Sequence, residues 1–140
     1  MASLSALIMC FVVGVHDGDT LTCLSDEKVQ IKIRLAEIDA PELHQAFGSR
    51  SKGALSDLCF HQSAVIRPEV TDRYGRTVAH VECQGKDANT EQVKSGMAWV
   101  YDRYVNDKSL YPLQDAARSE KRGLWTDPNP TPPWEYRHKK

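Results

Sequence analysis

Apolar and polar residues alternate through Ile31-Lys32-Ile33-Arg34-Leu35, the pattern of a half-buried strand with Lys32 and Arg34 on its wet face. From Ala36 and Ile38 onward the apolar residues fall on even positions, so the pattern predicts a β-bulge near Leu35-Ala36 that moves later side chains to the opposite face. Glu37 and Asp39 would then share a face with Arg34. Pro41 biases Ala40 toward an extended conformation and has no N–H for a ladder, so the strand should end there, with Glu42 on the loop beyond. One guanidinium and two or three carboxylates are thereby expected to converge at one strand end.

The same periodicities order the rest of the chain. Residues 7–16 are rich in Ile, Val and Phe and read as a strand; Asp17-Gly18 is a hairpin signal, and Thr20–Ser25 returns as the second strand with Asp19 at its start. Asp26-Glu27-Lys28 turns into the third, Val29–Ile38. Ala54, Leu55, Leu58 and Cys59 recur at helical spacing, which predicts a helix between Ser49 and Phe60 with Ser49 as its N-cap. Ala64–Val70 and Thr77–Cys83 read as two more strands around the turn Asp72-Arg73-Tyr74-Gly75. A short helix, Ala88–Ser95, should stop at Gly96; Met97–Tyr101 is expected to be extended, and a last helix, Ser109–Arg122, to stop at Gly123. The prediction is an α+β chain with a mainly β core, a five-stranded OB-fold Greek-key barrel carrying about three helices over residues 1–126. Residues 127–140 read as an exposed Pro-rich tail.

At 140 residues and 41% apolar content the chain suits one domain. Its formal charge of −1 gives no global attraction to a polyanion, so an anionic partner must be held by local basic groups. No C-x-x-C pair or histidine spacing points to zinc. Cys10, Cys23, Cys59 and Cys83 instead suit disulfides, hence a secreted or periplasmic setting, with a cytosolic one left open. Cys59, late in the first helix, and Cys83, at the end of the fifth strand, can meet where that helix crosses the barrel. Cys10 aligns with Ser25 across a two-residue hairpin, so a Cys10–Cys23 bridge spans a diagonal of about 7–8 Å and needs a bulge or a longer loop. The apolar run Ala6–Val13 is too short to span a bilayer, and no membrane partner is expected. The five histidines receive no role, and Trp99, Trp125 and Trp134 read as packing residues.

Asp17-Gly18-Asp19-Thr20, then Arg34-Leu-Ala-Glu-Ile-Asp39-Ala40-Pro41-Glu42, then Asp72-Arg73-Tyr74-Gly75-Arg76, together resemble the staphylococcal nuclease-like (thermonuclease) family from about Val12 to Trp125. The resemblance implies that Asp19, Asp39 and the Ala40 carbonyl bind Ca²⁺. It further implies that Glu42 orients or deprotonates the attacking water, Arg34 and Arg76 grip the phosphate, and Arg73, Tyr74 and Tyr104 line a nucleotide pocket. The residue types suit that chemistry. A phosphodiester gains charge as water attacks, so fixed cations and a base are needed, and an all-oxygen ligand set favours Ca²⁺ or Mg²⁺ over zinc.

Two positions depart from the best-known member: Ala40 replaces a threonine, and Asp102 replaces an aromatic residue, with Tyr101 and Tyr104 on either side. The expectation is a monomeric calcium-dependent endonuclease hydrolysing DNA and RNA with little sequence preference, preferably single-stranded. The alternatives are a catalytically inactive binding module of the same fold and a generic single-strand-binding barrel, which has no use for the carboxylates.

Overall fold

The alternating runs do become strands, and a computed structural model describes residues 6–138 of the chain. In chain order the elements are β1 (Ile8–Asp17), β2 (Thr20–Ser25), β3 (Gln30–Leu35), β4 (Ile38–Asp39), α1 (Gly48–Cys59), β5 (Ser63–Thr71), β6 (Thr77–Cys83), β7 (Lys86–Asp87), α2 (Ala88–Lys94), β8 (Trp99–Val100), α3 (Leu110–Ser119), a 3-10 turn (Gly123–Thr126) and α4 (Pro133–Tyr136). The main sheet runs β3-β2-β1-β5-β6-β7 and closes on itself through a parallel β3–β6 pairing. This is the expected five-stranded barrel of OB type, with α1 inserted between its third and fourth strands. Its interior is filled by fully buried side chains such as Val12, Leu21, Ile33, Leu35, Leu55 and Ile66, each worth about 1.5–3 kcal/mol of burial. Among the described residues, no helix is long and apolar enough to cross a membrane.

Four local expectations are corrected. The third strand does not run on to Ile38 through a bulge. It stops at Leu35, the chain turns through Glu37 at φ 70°, and β4 changes partner, pairing Ile38 with Val100 and Asp39 with Trp99. The hairpin turn falls one residue later than expected, on Gly18-Asp19, with Asp17 opposite Thr20. Gly18 is needed there for space rather than for a positive φ, since a Cβ would come within 1.7 Å of Ser51 Oγ on α1. Helix α1 starts at Gly48 with Phe47 as its N-cap in the left-handed region, and Ser49 lies inside the first turn. That start is fixed by packing, because a Cβ on Gly48 would lie 2.1 Å from the Glu42 carbonyl.

The fourth correction concerns the C-terminal segment, which is not an exposed tail. Pro133 is buried, and the Trp134 ring stacks on Tyr101 (centroids 5.4 Å apart, planes at 6°) and meets Trp99 edge-on at 5.6 Å. Prolines stiffen this stretch, so ordering it loses little entropy against the aromatic surface it covers.

Both expected disulfides are formed. Cys59 joins α1 to the end of β6, and Cys10 joins Cys23. Cys10 does lie opposite Ser25, yet the Cys10–Cys23 Cα atoms are only 5.5 Å apart. The register is unbroken from Cys10 to Val12, with a shift just beyond it at Val12/Gly14; the strong right-handed twist of such a ribbon brings one diagonal pair within disulfide reach.

Candidate active site

The polar centre begins at the β1–β2 turn. Gln92, almost fully buried on α2, donates to the carbonyls of Gly18 and Ser51 and so ties the turn to α1 and α2. Asp19 is thereby held in place. Its Oδ2 accepts from the Ala40 N–H at 2.7 Å, its Oδ1 from the Thr20 hydroxyl at 3.0 Å, and Arg34 Nη1 lies 3.5 Å from Oδ2. Burial pushes the Asp19 carboxyl up, but the Arg34 charge together with these hydrogen bonds outweighs it and holds the group below the usual carboxylate range. Asp17 braces the turn by accepting from the Asp19 N–H at 3.0 Å. Burial, and then the Asp19 charge, push its own carboxyl up to about 7.

Arg34 sits opposite Thr20 on β3. Its Nη1 donates to the Leu35 and Ile38 carbonyls at 2.6 and 2.9 Å, the two acceptors stranded where the ladder stops, and its Nη2 reaches Asp39 Oδ1 at 3.3 Å. The strand break therefore fixes the guanidinium between Asp19 and Asp39. Asp39 is 1% exposed, and burial pushes its carboxyl up to about 6 against the hydrogen bonds from Arg137, with the Asp19 charge adding to the rise. Glu42 lies beyond Pro41 with its side chain about a third exposed. Its N–H donates to Gln45 Oε1 at 3.0 Å, which fixes the loop.

Sequence reasoning missed Arg137. Its Nη2 and Nη1 donate to Asp39 Oδ2 and Oδ1 at 2.8 and 3.0 Å, Nη1 also to Glu42 Oε2 at 2.8 Å, and Nη2 to the Tyr101 hydroxyl oxygen at 3.3 Å. The signal available was the Pro-Pro-Trp-Glu-Tyr-Arg run, too apolar and aromatic for a solvated tail.

Asp19, Arg34, Asp39 and Ala40 thus lie in direct contact, and Glu42 joins them through Arg137. Glu37 does not share the Arg34 face: the positive φ turns it to the other side of the chain. There Oε1 accepts from the Asn106 and Asp107 N–H groups at 2.6 and 2.7 Å and Oε2 bonds His80 Nε2 at 2.7 Å. His80, which sequence reasoning left without a role, also lies 3.1 Å from Glu69 and 3.6 Å from Asp87. Interaction with Asp87 against the opposing effect of burial, reinforced by Glu37 and Glu69, pushes the imidazole up to about 9. Glu37, Glu69 and His80 offer ligand atoms within 4.8 Å of one another, a grouping that linear spacing concealed.

Arg73, Tyr74 and Arg76 form their own cluster on the β5–β6 turn. Arg76 Nε donates to Asp72 at 2.8 Å, and both arginines lie over the exposed Tyr74 ring at 5.1 and 5.4 Å. The β3–β6 register places Arg76 two residues before Val78, the partner of Arg34. Tyr104, also exposed, packs edge-on against Tyr101 at 4.8 Å, and Asp102 accepts from the Tyr111 hydroxyl.

The donor chemistry fits a hard cation. Asp19, Asp39 and the Ala40 carbonyl offer oxygen alone, and with Glu42 three carboxylates face two guanidiniums, leaving negative charge for a metal to neutralise. Water attack on a phosphodiester can use such a centre.

Comparison with known proteins agrees with the motifs. The staphylococcal nuclease homologue family pattern matches residues 32–127. A protein of Haemophilus influenzae described as an uncharacterized endonuclease is 48% identical over 128 residues, 91% of this chain and 72% of its own length. One from Escherichia coli O157:H7 with the same description is 42% identical over 130 residues, 92% of this chain and 84% of its own. A micrococcal nuclease of Shigella flexneri is 41% identical over 137 residues, 90% of this chain and 78% of its own. With most of the chain matched, and with an OB-type barrel placing the Asp19, Arg34 and Asp39 side chains in one ion network, the chain belongs to the staphylococcal nuclease homologue family.

Proposed function

We propose that this nuclease-family chain is a calcium-dependent endonuclease that hydrolyses phosphodiester bonds of DNA and RNA with little sequence preference, favouring single strands. The observation that carries the reading is the pairing of two nearly buried carboxylates, Asp19 and Asp39, across one arginine, Arg34, beside a partly exposed carboxylate, Glu42.

Asp19, Asp39 and the Ala40 carbonyl would hold the Ca²⁺, which when bound supplies positive charge beside the scissile phosphate and its water. Arg34 neutralises charge on the phosphoryl oxygens, its position set by two backbone carbonyls. Arg76 grips the phosphate from the β5–β6 turn, just before β6. Asp72 bonds it through Nε, which is compatible with the Nη fork engaging the substrate. Glu42 takes the proton of the attacking water, its partial exposure leaving it open to solvent. Arg73, Tyr74 and Tyr104 offer stacking and cationic surfaces to the flanking nucleotides. The two disulfides support an oxidising setting, secreted or periplasmic.

The test is cleavage of single-stranded DNA and RNA oligonucleotides with Ca²⁺ and with excess chelator. Cleavage should vanish with chelator and return with Ca²⁺. Full activity in chelator overturns the metal assignment, and binding without cleavage under any divalent ion identifies a binding module.

A further inference from the structure

The family match ends at residue 127, yet the most extensively bonded side chain at the site belongs to residue 137. Arg137 uses both Nη groups on three partners at once: Asp39 in a two-pronged grip, Glu42 through Nη1 and Tyr101 through Nη2. This planar fork bridges a metal-side carboxylate and the carboxylate two residues past Ala40, linking the two side chains directly while Gln45 anchors the Glu42 backbone. A carboxylate carries about four lone-pair sites, so the fork and a hard cation can share Asp39.

The segment that delivers the fork is built as a fixed annex rather than a movable strap. Gln45 Nε2 donates to the Thr131 carbonyl at 2.7 Å while Gln45 Oε1 accepts from the Glu42 N–H, so one side chain clamps both the Glu42 loop and the C-terminal segment. Pro133 is buried, Trp134 stacks on Tyr101, and α4 ends with the Arg137 N–H on the Pro133 carbonyl. We infer that Arg137 is a positioning residue that locks Asp39 and Glu42 into one working geometry, so that the catalytic unit extends past the family match to the C-terminal segment. The inference rests on the proposed nuclease function.

The experiment uses the full chain with its disulfides intact, a single-stranded oligodeoxynucleotide, and calcium binding by calorimetry beside the kinetics. Arg137→Gln should lower kcat roughly 10–100-fold, the scale on which groups supporting a metal site act, with KM changed less than about threefold. Arg137→Lys should stay near the Gln variant, since a single ammonium nitrogen cannot reproduce the parallel two-nitrogen grip on Asp39 while also reaching Glu42. Added guanidinium should restore part of the Arg137→Ala activity. Trp134→Ala, which keeps the arginine but removes its platform, should give a smaller loss and guards against a variant that fails to fold. Unchanged kcat in Arg137→Gln overturns the inference. So does a rise in KM alone, which would mark a substrate contact, and so does tighter calcium binding with faster turnover, which would mark a blocking contact. A wild-type protein that does not cleave overturns the function and this assignment with it; wild-type cleavage with an unaffected Gln variant overturns this assignment alone.

Discussion

Glu37 and Asp39 are two residues apart and both nearly inaccessible, at 7% and 1% exposure, yet they lie in opposite kinds of site. One Glu37 oxygen takes two backbone N–H groups and the other a histidine, so its capacity is absorbed by the fold. Asp39 is held by the side chains of Arg34 and Arg137, two guanidiniums brought by β3 and by the C-terminal segment. A single left-handed residue at position 37 separates the two environments. Burial and charge alone do not distinguish these two carboxylates; the identity of their donors does. Backbone donors tie Glu37 to the loop at Asn106-Asp107, whereas the donors on Asp39 are cationic side chains brought from β3 and from the C-terminal segment.

The sharpest way to break this contrast is at the Asp39 end. Glu42→Gln keeps size and one hydrogen-bonding oxygen but removes the proton acceptor, and should lower kcat by roughly 10²–10⁴-fold with calcium affinity little changed. Glu37→Gln, measured in the same assay per folded molecule, should leave turnover within about threefold, since its neighbours are backbone and imidazole. Comparable losses in the two variants would show that the two clusters act as one site.

At the Glu37 end the expected effect is on stability. Glu37→Ala removes two charge-assisted bonds to the loop at Asn106-Asp107 and the nearest partner of His80, and should lower unfolding free energy by about 3 kcal/mol in urea titration. The pH dependence should localise to the same cluster. His80 faces Glu37 from the turn, Glu69 from β5 and Asp87 from β7, with Asp107 nearby, and its folded value near 9 lies above its ordinary 6.5. The stabilisation is fully present below pH 6.5 and is lost as pH rises from 6.5 through 9, a total of order 3 kcal/mol. His80→Gln should flatten that limb in melts across the window; an unaltered slope would place the titrating group elsewhere.

Much of the barrel was legible because periodicity and turn chemistry are local. The alternation in β1, β3 and β6 and the helical spacing of Leu55 and Cys59 each carry their own signal, and the Asp17-Gly18 pair marked the hairpin to within one residue. Asp19, Arg34, Asp39 and Glu42 were legible as motif residues for the same reason. The misses are long-range. The phase slip after Leu35 was visible, but whether it meant a bulge or a change of partner depended on β8, more than sixty residues away. His80 meets carboxylates from three separate elements, and Arg137 meets Asp39 across 98 positions, so neither has a linear spacing to read. Proline content argued for a tail, whereas the aromatic residues within it decided the packing.

The smallest expected effect separates the members of the histidine cluster. Glu69 lies on β5 with its carboxylate 3.1 Å from His80 Nε2, but its side chain is 38% exposed, against 4% for Glu37 at 2.7 Å. One Nε2 proton serves both acceptors, so the drier and better-anchored Glu37 should hold it, leaving Glu69 a screened charge. Glu69→Gln should therefore lower stability by less than about 1 kcal/mol, the range of solvent-exposed ion pairs, and the loss should shrink as salt is raised. The steep pH limb should persist, because Glu37 and Asp87 still face the imidazole. If Glu69→Gln instead matched Glu37→Ala in size and erased the limb, the shared proton would belong to Glu69, and the two backbone bonds to Glu37 would be its whole contribution. Urea midpoints for the three variants at pH 6 and pH 9, each at low and high salt, decide between these outcomes.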